Sequence, residues 1–410
     1  MWRIISILLK VGVTIGLFVL LFWPEIFGLP PDTFGGVKPG ALINEIRSLH
    51  LSHALPWILF ALFIRLAGIM SGVVRWKILL NGQNLYMPFA YMTQSWFIGR
   101  TIGIFLPSTI GLDGYRLYDS VRYTGDVIRC ATVIFIEKII GFISLTTLVF
   151  LTFPLGFRLL RFNTLFLLVI LMVLGFAVLF FLSLLLQPYI IQVILYAIPM
   201  PGKIKNILNR LGSSATAYAG HRRYLLLAIL CGLFVHLSAC LMYFGTMMAL
   251  RSEKTSLWDV LFASPLMIYG TVLGPSVGGE GIREIVFATL LGGKENTLKV
   301  VAFAHLGWWV GDVVPFLIGL PFLILRKRPQ KEEVQKQMTH IQSQTAITEG
   351  LQQPFNPQEL MAIRNQIFYN LFYGLIGGFS AGAFCGLVES FWIIYKFPTF
   401  MIIKCYGGAL

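Results

Sequence analysis

Charge is scarce in this chain. Lys, Arg, Asp and Glu make up 12% of its 410 residues, against about a quarter in a soluble domain. With 57% hydrophobic residues and a mean hydropathy of +0.77, that deficit excludes a soluble globular protein and marks a polytopic membrane protein. Acidic residues are the scarcer sign, 18 against 32 Lys and Arg, which leaves a net charge of +14. The excess fits the retention of Lys and Arg in cytoplasmic loops, and attraction to anionic lipid is compatible with it. No stretch joins a soluble fold to a basic stripe, so no nucleic-acid partner is expected. Cysteine is also sparse. Cys130, Cys231, Cys240, Cys385 and Cys405 lie in or beside apolar segments without paired spacing; they read as packing residues, not as a disulfide framework or a metal site. Six histidines argue against a metal enzyme, and neither metal nor cofactor is expected.

Long apolar runs are abundant. Each membrane span consumes ~20 residues, so the length suggests one bundle. Full-length spans are expected at about residues 4–23, 55–74, 130–152, 164–186, 225–250, 300–325 and 367–395. The first follows Arg3, and Phe22-Trp23-Pro24-Glu25 offers no small-residue cleavage site, so an uncleaved span is expected. Two further segments, about 88–116 and 257–291, are interrupted. Residues 1–327 thus form a transmembrane domain and 328–366 a polar, Gln-rich cytoplasmic linker. Residues 367–410 form an additional C-terminal transmembrane segment with Gly374, Gly377, Gly378 and Gly382 for close helix packing. Residues 203–220 read as a cytoplasmic connector, with an interfacial helix as the alternative. The apolar end, 397–410, leaves open a continuation into a further module.

The interruptions carry one motif twice. The first copy is Pro107-Ser108-Thr109-Ile110-Gly111-Leu112-Asp113-Gly114-Tyr115-Arg116, the second Pro275-Ser276-Val277-Gly278-Gly279-Glu280-Gly281-Ile282-Arg283. Each runs from Pro-Ser through glycine to acid-Gly-any-Arg. Breaks at corresponding places in two halves point to a transporter's substrate site, since open backbone at membrane depth must be buried by protein or line a wet cavity. If each interrupted segment enters and leaves on one side, the basic stretches 75–77, 116–129, 203–223 and 326–328 all fall in the cytoplasm. The two segments then have opposite topology. Proline ends the entering helix, while Gly111, Gly114, Gly278, Gly279 and Gly281 allow positive φ and close approach. The returning half-helix would start near Asp113 or Glu280, its N-terminus suited to an anion or capped by the acid itself.

Ionisable residues at membrane depth are functional candidates. Glu137 and Lys138 sit mid-span and, being adjacent, should pair with different neighbours. His305 and Asp312 are seven apart, hence on one face of a regular helix. Arg65 lies mid-span and calls for a phosphate or carboxylate, with Glu45, Asp113, Glu137 and Glu280 as internal candidates. His236 reads as a satisfied packing residue.

In these residues the chain resembles the lysylphosphatidylglycerol synthase transmembrane family, also called the flippase-like domain family. The resemblance spans about residues 1–327. Its pieces are Arg75-Trp76-Lys77-Ile78-Leu79-Leu80, Phe105-Leu106-Pro107 with 111–118, Glu137-Lys138-Ile139-Ile140-Gly141, and 275–284 with Gly278-Gly279-Glu280-Gly281. It implies a membrane domain that moves aminoacylated or other polar phospholipids between leaflets. The family's synthase activity belongs to a separate soluble domain that these residues lack, so transferase activity is not implied. Three departures bear on substrate identity: Gly111-Leu112-Asp113 in place of Gly-Gly-Asp, Glu137-Lys138 in place of acid-Arg, and His305 with Asp312 in place of a basic-aromatic pattern.

The expected fold is an all-α polytopic bundle with two inverted-topology repeats containing re-entrant broken helices. The expected function is translocation of polar or anionic, including aminoacylated, phospholipids in the cell membrane. The alternative is a secondary transporter of a small solute or ion by alternating access. No enzymatic role is expected. Arg65, Arg116, Lys138 and Arg283 are the phosphate candidates. Asp113, Glu137 and Glu280 hold the motifs or meet a cationic moiety, and His305 completes the substrate-binding set. Membrane phospholipid is the expected partner, with a second copy or a separate lipid-modifying protein as further candidates. Arg116→Ala and Glu280→Ala are expected to abolish lipid movement without loss of expression.

Overall fold

A computed structural model describes residues 2–34, 36–103, 110–156, 159, 172–173, 175–176, 218, 222–273, 276 and 279–326. The expected span at 164–186, the 203–220 connector, the linker and the last segment lie outside the described residues, apart from a few isolated positions. So do Pro107, Pro275, Gly278, Cys385 and Cys405. The described residues are all-helical, without a strand. In chain order they form α1 (Trp2–Phe22), α2 (Pro39–Arg47), α3 (Leu51–Gly82), α4 (Phe89–Gly103), α5 (Ile110–Thr124) and α6 (Val127–Gly156). Next come α7 (Arg222–Ala249), α8 (Leu257–Leu273), α9 (Ile282–Leu291) and α10 (Thr297–Trp308), which passes through a π-helical turn (Trp309–Val313) into α11 (Val314–Leu325).

Among the described residues, four stretches are long and apolar enough to cross a bilayer: Leu51–Gly82, Val127–Gly156, Arg223–Ala249 and Thr297–Leu325. They coincide with four of the expected spans, and helices satisfy their own backbone polar groups, as a bilayer requires. The chain is a multi-pass membrane protein. Its α3 has 32 residues, ~48 Å at the usual rise, well beyond the ~30 Å hydrocarbon core. The extra length corrects one expectation. Residues 75–77 are not a loop but the continuation of α3, and Arg75 is buried inside the bundle. Arg116 is buried as well. These two cations therefore serve as internal counter-ions and do not count as loop charge.

The most extensive helix pairing is α3 against α7; α6 packs on both of them, and α8 packs on α6 and α7. Two helix pairs hold the motif segments. α4 and α5 pack side by side, and so do α8 and α9. In the first pair Gly99 and Gly103, one turn apart, both lie against Leu112; a methyl group on Gly99 would sit 2.9 Å from Leu112 Cδ1. In the second, Gly270 lies against Ile282 and Val286, its virtual Cβ 3.0 Å from Ile282 Cγ2. Missing side chains let both pairs close.

The ends are held by polar contacts. Arg326 Nη2 forms an ion pair with Asp119 Oδ2 at 2.8 Å and its guanidinium lies 3.7 Å over the Tyr91 ring, tying the end of α11 to α5 and α4. Asn296 Oδ1 accepts the Leu298 N–H at 2.9 Å and caps α10. Asn296→Ala is expected to lower stability by about 1 kcal/mol, read as a small drop in thermal midpoint, because that N–H loses its partner.

Candidate functional site

The first motif builds a chain of ion pairs. α5 begins at Ile110, earlier than the motif's acid suggests, so Gly111 and Gly114 are helical and need no positive φ. Asp113 lies in the first turn of α5, where a negative charge is favoured by the helix dipole. Asp113 pairs with Arg116 three residues on (3.5 Å) and with Lys138 of α6. Arg116 also pairs with Glu137, and Glu137 Oε1 accepts from Arg75 Nη2 at 2.8 Å and Nε at 3.3 Å. Glu137 and Lys138 thus serve different partners, as adjacent helical residues should. The Arg116 guanidinium is held between Trp76 and Trp96, 4.4 and 4.2 Å from their rings. Arg116 and Glu137 are only 1% and 4% exposed, and Lys138 is the exposed member, with 42% of its side chain accessible.

The second motif repeats the local bridge. Glu280 Oε1 accepts from Arg283 Nη1 at 2.9 Å, so acid-Gly-any-Arg gives the same i,i+3 ion pair in both copies. Gly279 and Gly281 have φ of +77° and +79°, which glycine adopts without steric penalty. The cap differs from expectation. Gly281, not Glu280, precedes α9, and its N–H is accepted by Glu284 Oε2 at 2.9 Å. Glu280 is instead Arg283's partner.

Asp312 joins the two motif segments. Its carboxylate accepts from Arg100 Nη2 of α4 at 3.2 Å and lies 3.7 Å from Arg283 Nη2. It sits in the π-helical turn. The extra residue in such a turn rotates the rest of the helix by roughly 100° relative to a regular one, and the seven-residue spacing therefore does not fix one shared face. His305 turns to Glu284, 4.0 Å from its Oε1, while Asp312 turns to the arginines.

A cavity of about 290 Å³ lies at this junction. Gly103 and Leu112 reach it from the first motif segment, and Thr271, Gly279 and Arg283 from the second. Arg65, Arg100 and Arg283 contribute the positive charge and Met242, Met267 and Ile268 an apolar wall. Arg65 pairs with none of the four carboxylates expected for it; its Nε donates to Gly311 O at 3.4 Å. His236 is satisfied by Gly141 O at 3.2 Å and also lines the cavity. Of the four phosphate candidates, Arg65 and Arg283 line the cavity, whereas Arg116 and Lys138 belong to the α5–α6 network. Arg100 is a cavity residue that the sequence pattern does not single out. The signal that marks Arg65, an arginine in an apolar stretch, is present at Arg100 but hidden inside an interrupted segment.

Donor atoms of Glu280, Glu284 and His305 lie within 4.8 Å of one another, a grouping the sequence does not reveal. A metal fits it poorly. The Trp309 indole N–H, which can only donate, faces His305 Nε2 at 3.3 Å, so Nε2 accepts and neutral His305 carries its hydrogen on Nδ1. Nδ1 is the atom that faces Glu284, and a metal would need a lone pair there. Arg283 already occupies Glu280.

Residues 7–331, covering both motifs and the cavity, match the family described as the lysylphosphatidylglycerol synthase TM region. No curated protein matches the chain.

Proposed function

The chain belongs to the lysylphosphatidylglycerol synthase TM region family, a membership that carries a lipid-related role in the membrane, and on that premise we propose that it translocates anionic phospholipids between leaflets. The observation that carries the reading is Asp312, which links Arg100 of the first motif segment to Arg283 of the second beside a cavity with three arginines. A phosphate diester is bound by guanidinium groups in bidentate fashion. The apolar wall suits the glycerol and upper acyl region, while the tails stay in lipid. The helix pairs α4–α5 and α8–α9 act as inverted re-entrant repeats, and rocking of one against the other exposes the cavity to each side in turn. Arg65, Arg100 and Arg283 hold the phosphate, and Glu280 and Asp312 orient Arg283. Asp113, Arg116, Glu137 and Lys138 fix α5 against α6. No catalytic step and no cofactor is assigned. The protein works in the cell membrane, with a second copy or a separate lipid-modifying protein as candidate partner.

The test is reconstitution of the purified protein into vesicles with labelled phosphatidylglycerol, its lysyl ester, phosphatidylethanolamine and phosphatidylcholine. Faster leaflet exchange is expected for phosphatidylglycerol than for the zwitterionic pair, with no uptake of inorganic phosphate. Exchange no faster than in protein-free vesicles sinks the reading, and uptake of phosphate without lipid exchange replaces it with solute transport.

A further inference from the structure

Glu284 has a role that phosphate binding leaves unused. It is 1% exposed. Its Oε2 accepts the Gly281 N–H, but Oε1 has no hydrogen-bond donor among the described residues. Arg283 Nη1 lies 3.9 Å from it and His305 Nδ1 4.0 Å. A buried carboxylate oxygen left without a donor is costly. Two carboxylates crowd one guanidinium here, since Arg283 already donates to Glu280, and one proton relieves that repulsion.

Glu280 and Glu284 together are the place for that proton. Glu280 has Arg283 at 2.9 Å, and Asp312 has Arg100 at 3.2 Å with a third of its side chain exposed. On α10, His305 Nε2 accepts from the Trp309 indole N–H, which leaves the hydrogen of the neutral ring on Nδ1. On α7, Tyr243 faces the same cluster. On α8, Asp259 is engaged by Lys294 and Ser256, and Tyr269 by Thr146. Residues 12–22 of α1, which also touches α9, hold no titratable group. A proton on either carboxylate removes one of the two negative charges beside Arg283, and the donor atoms of Glu280, Glu284 and His305 lie within 4.8 Å of one another.

Charge balance links this position to the cavity. Among the described residues, Arg65, Arg100 and Arg283 are matched by Glu280, Glu284 and Asp312, three against three. The positive surplus of the α5–α6 network falls on Lys138, its exposed member, which does not line the cavity. A phosphate diester entering the cavity adds one uncompensated negative charge, which is expensive in hydrocarbon. We propose that the Glu280–Glu284 pair, backed by His305, binds one proton from water and carries it with each anionic head group, so that the loaded cavity is neutral. No covalent bond to the lipid forms; the proton is taken up on one side and released on the other. This inference rests on the head-group reading above.

The experiment uses labelled phosphatidylglycerol in vesicles with an imposed pH difference. Coupling of one proton to one lipid anion predicts accumulation of about tenfold per pH unit, the free energy of one unit being about 1.36 kcal/mol, and no response to a potassium-diffusion potential. Glu284→Gln, which keeps an acceptor for Gly281 N–H, is expected to lose the pH response and to become sensitive to the potential. His305→Asn is expected to weaken the pH response, and thermal unfolding checks that both variants fold. A lipid distribution in wild type that ignores the pH difference overturns the inference while leaving lipid movement intact. Detergent-solubilised protein titrated with short-chain phosphatidylglycerol beside a pH indicator gives an independent answer. Proton uptake by wild type but not by Glu284→Gln supports coupling, and no uptake by wild type overturns it even if no vesicle moves lipid.

Discussion

Glu137→Ala is expected to lower stability by about 3–5 kcal/mol, the cost of stranding buried charge when one partner of an ion pair is removed. Glu137 is the shared anion of Arg75 and Arg116. Its loss leaves both guanidinium groups inside the bundle, with only Asp113, itself shared with Lys138, beside Arg116. The reading comes from thermal unfolding in detergent and from the yield of monodisperse protein. Glu137→Gln, which keeps an acceptor oxygen but no charge, should fall between wild type and alanine. Arg116→Ala belongs to the same experiment. It removes a counter-ion from Glu137 and empties the space between Trp76 and Trp96, so reduced yield is expected, contrary to the sequence-based expectation of intact expression. A wild-type melting curve for Glu137→Ala would show that the network does not hold α5 to α6 and α3.

Arg65→Gln should do the opposite: leave the fold intact and slow exchange of phosphatidylglycerol by about 10- to 100-fold. Among the described residues Arg65 has a single long hydrogen bond, 3.4 Å to Gly311 O, so little native structure depends on its charge. In the cavity, by contrast, a charge-assisted hydrogen bond to phosphate contributes about 1.5–3 kcal/mol, which converts to that range of rate. Arg65→Lys should recover part of the loss as a point charge without the planar fork. The measurement is leaflet exchange in vesicles at matched protein incorporation. Wild-type exchange by Arg65→Gln would remove Arg65 from the phosphate site, and a collapsed melting curve would mean that its role is structural.

The two predictions divide the arginines in a way the sequence cannot. In the sequence Arg65, Arg116 and Arg283 read as phosphate candidates, Arg75 reads as cytoplasmic charge and Arg100 is not singled out, and nothing in a one-dimensional pattern says which of the five finds a carboxylate. Glu284 escapes the sequence for a related reason. It comes one residue after the motif and looks like a first-turn acid, and only the position of His305 on another helix gives its free oxygen meaning. Asp312 stands out in the sequence, but the regular helical period that would place it is broken by the π-helical turn.

What the residues decided alone is whatever depends on near neighbours or on solvent. The scarcity of charge and the length of the apolar runs put the helices in a bilayer, because an unpaired backbone has no partner there. The acid-Gly-any-Arg spacing brings Asp113 to Arg116 and Glu280 to Arg283 within one turn. Tertiary structure alone decided which charges are counter-ions and which line the cavity, because Arg75 and Glu137, Arg100 and Asp312, and Glu284 and His305 meet only when separate helices pack. Inside hydrocarbon a charge takes the nearest opposite partner, and that partner is chosen by packing rather than by order along the chain.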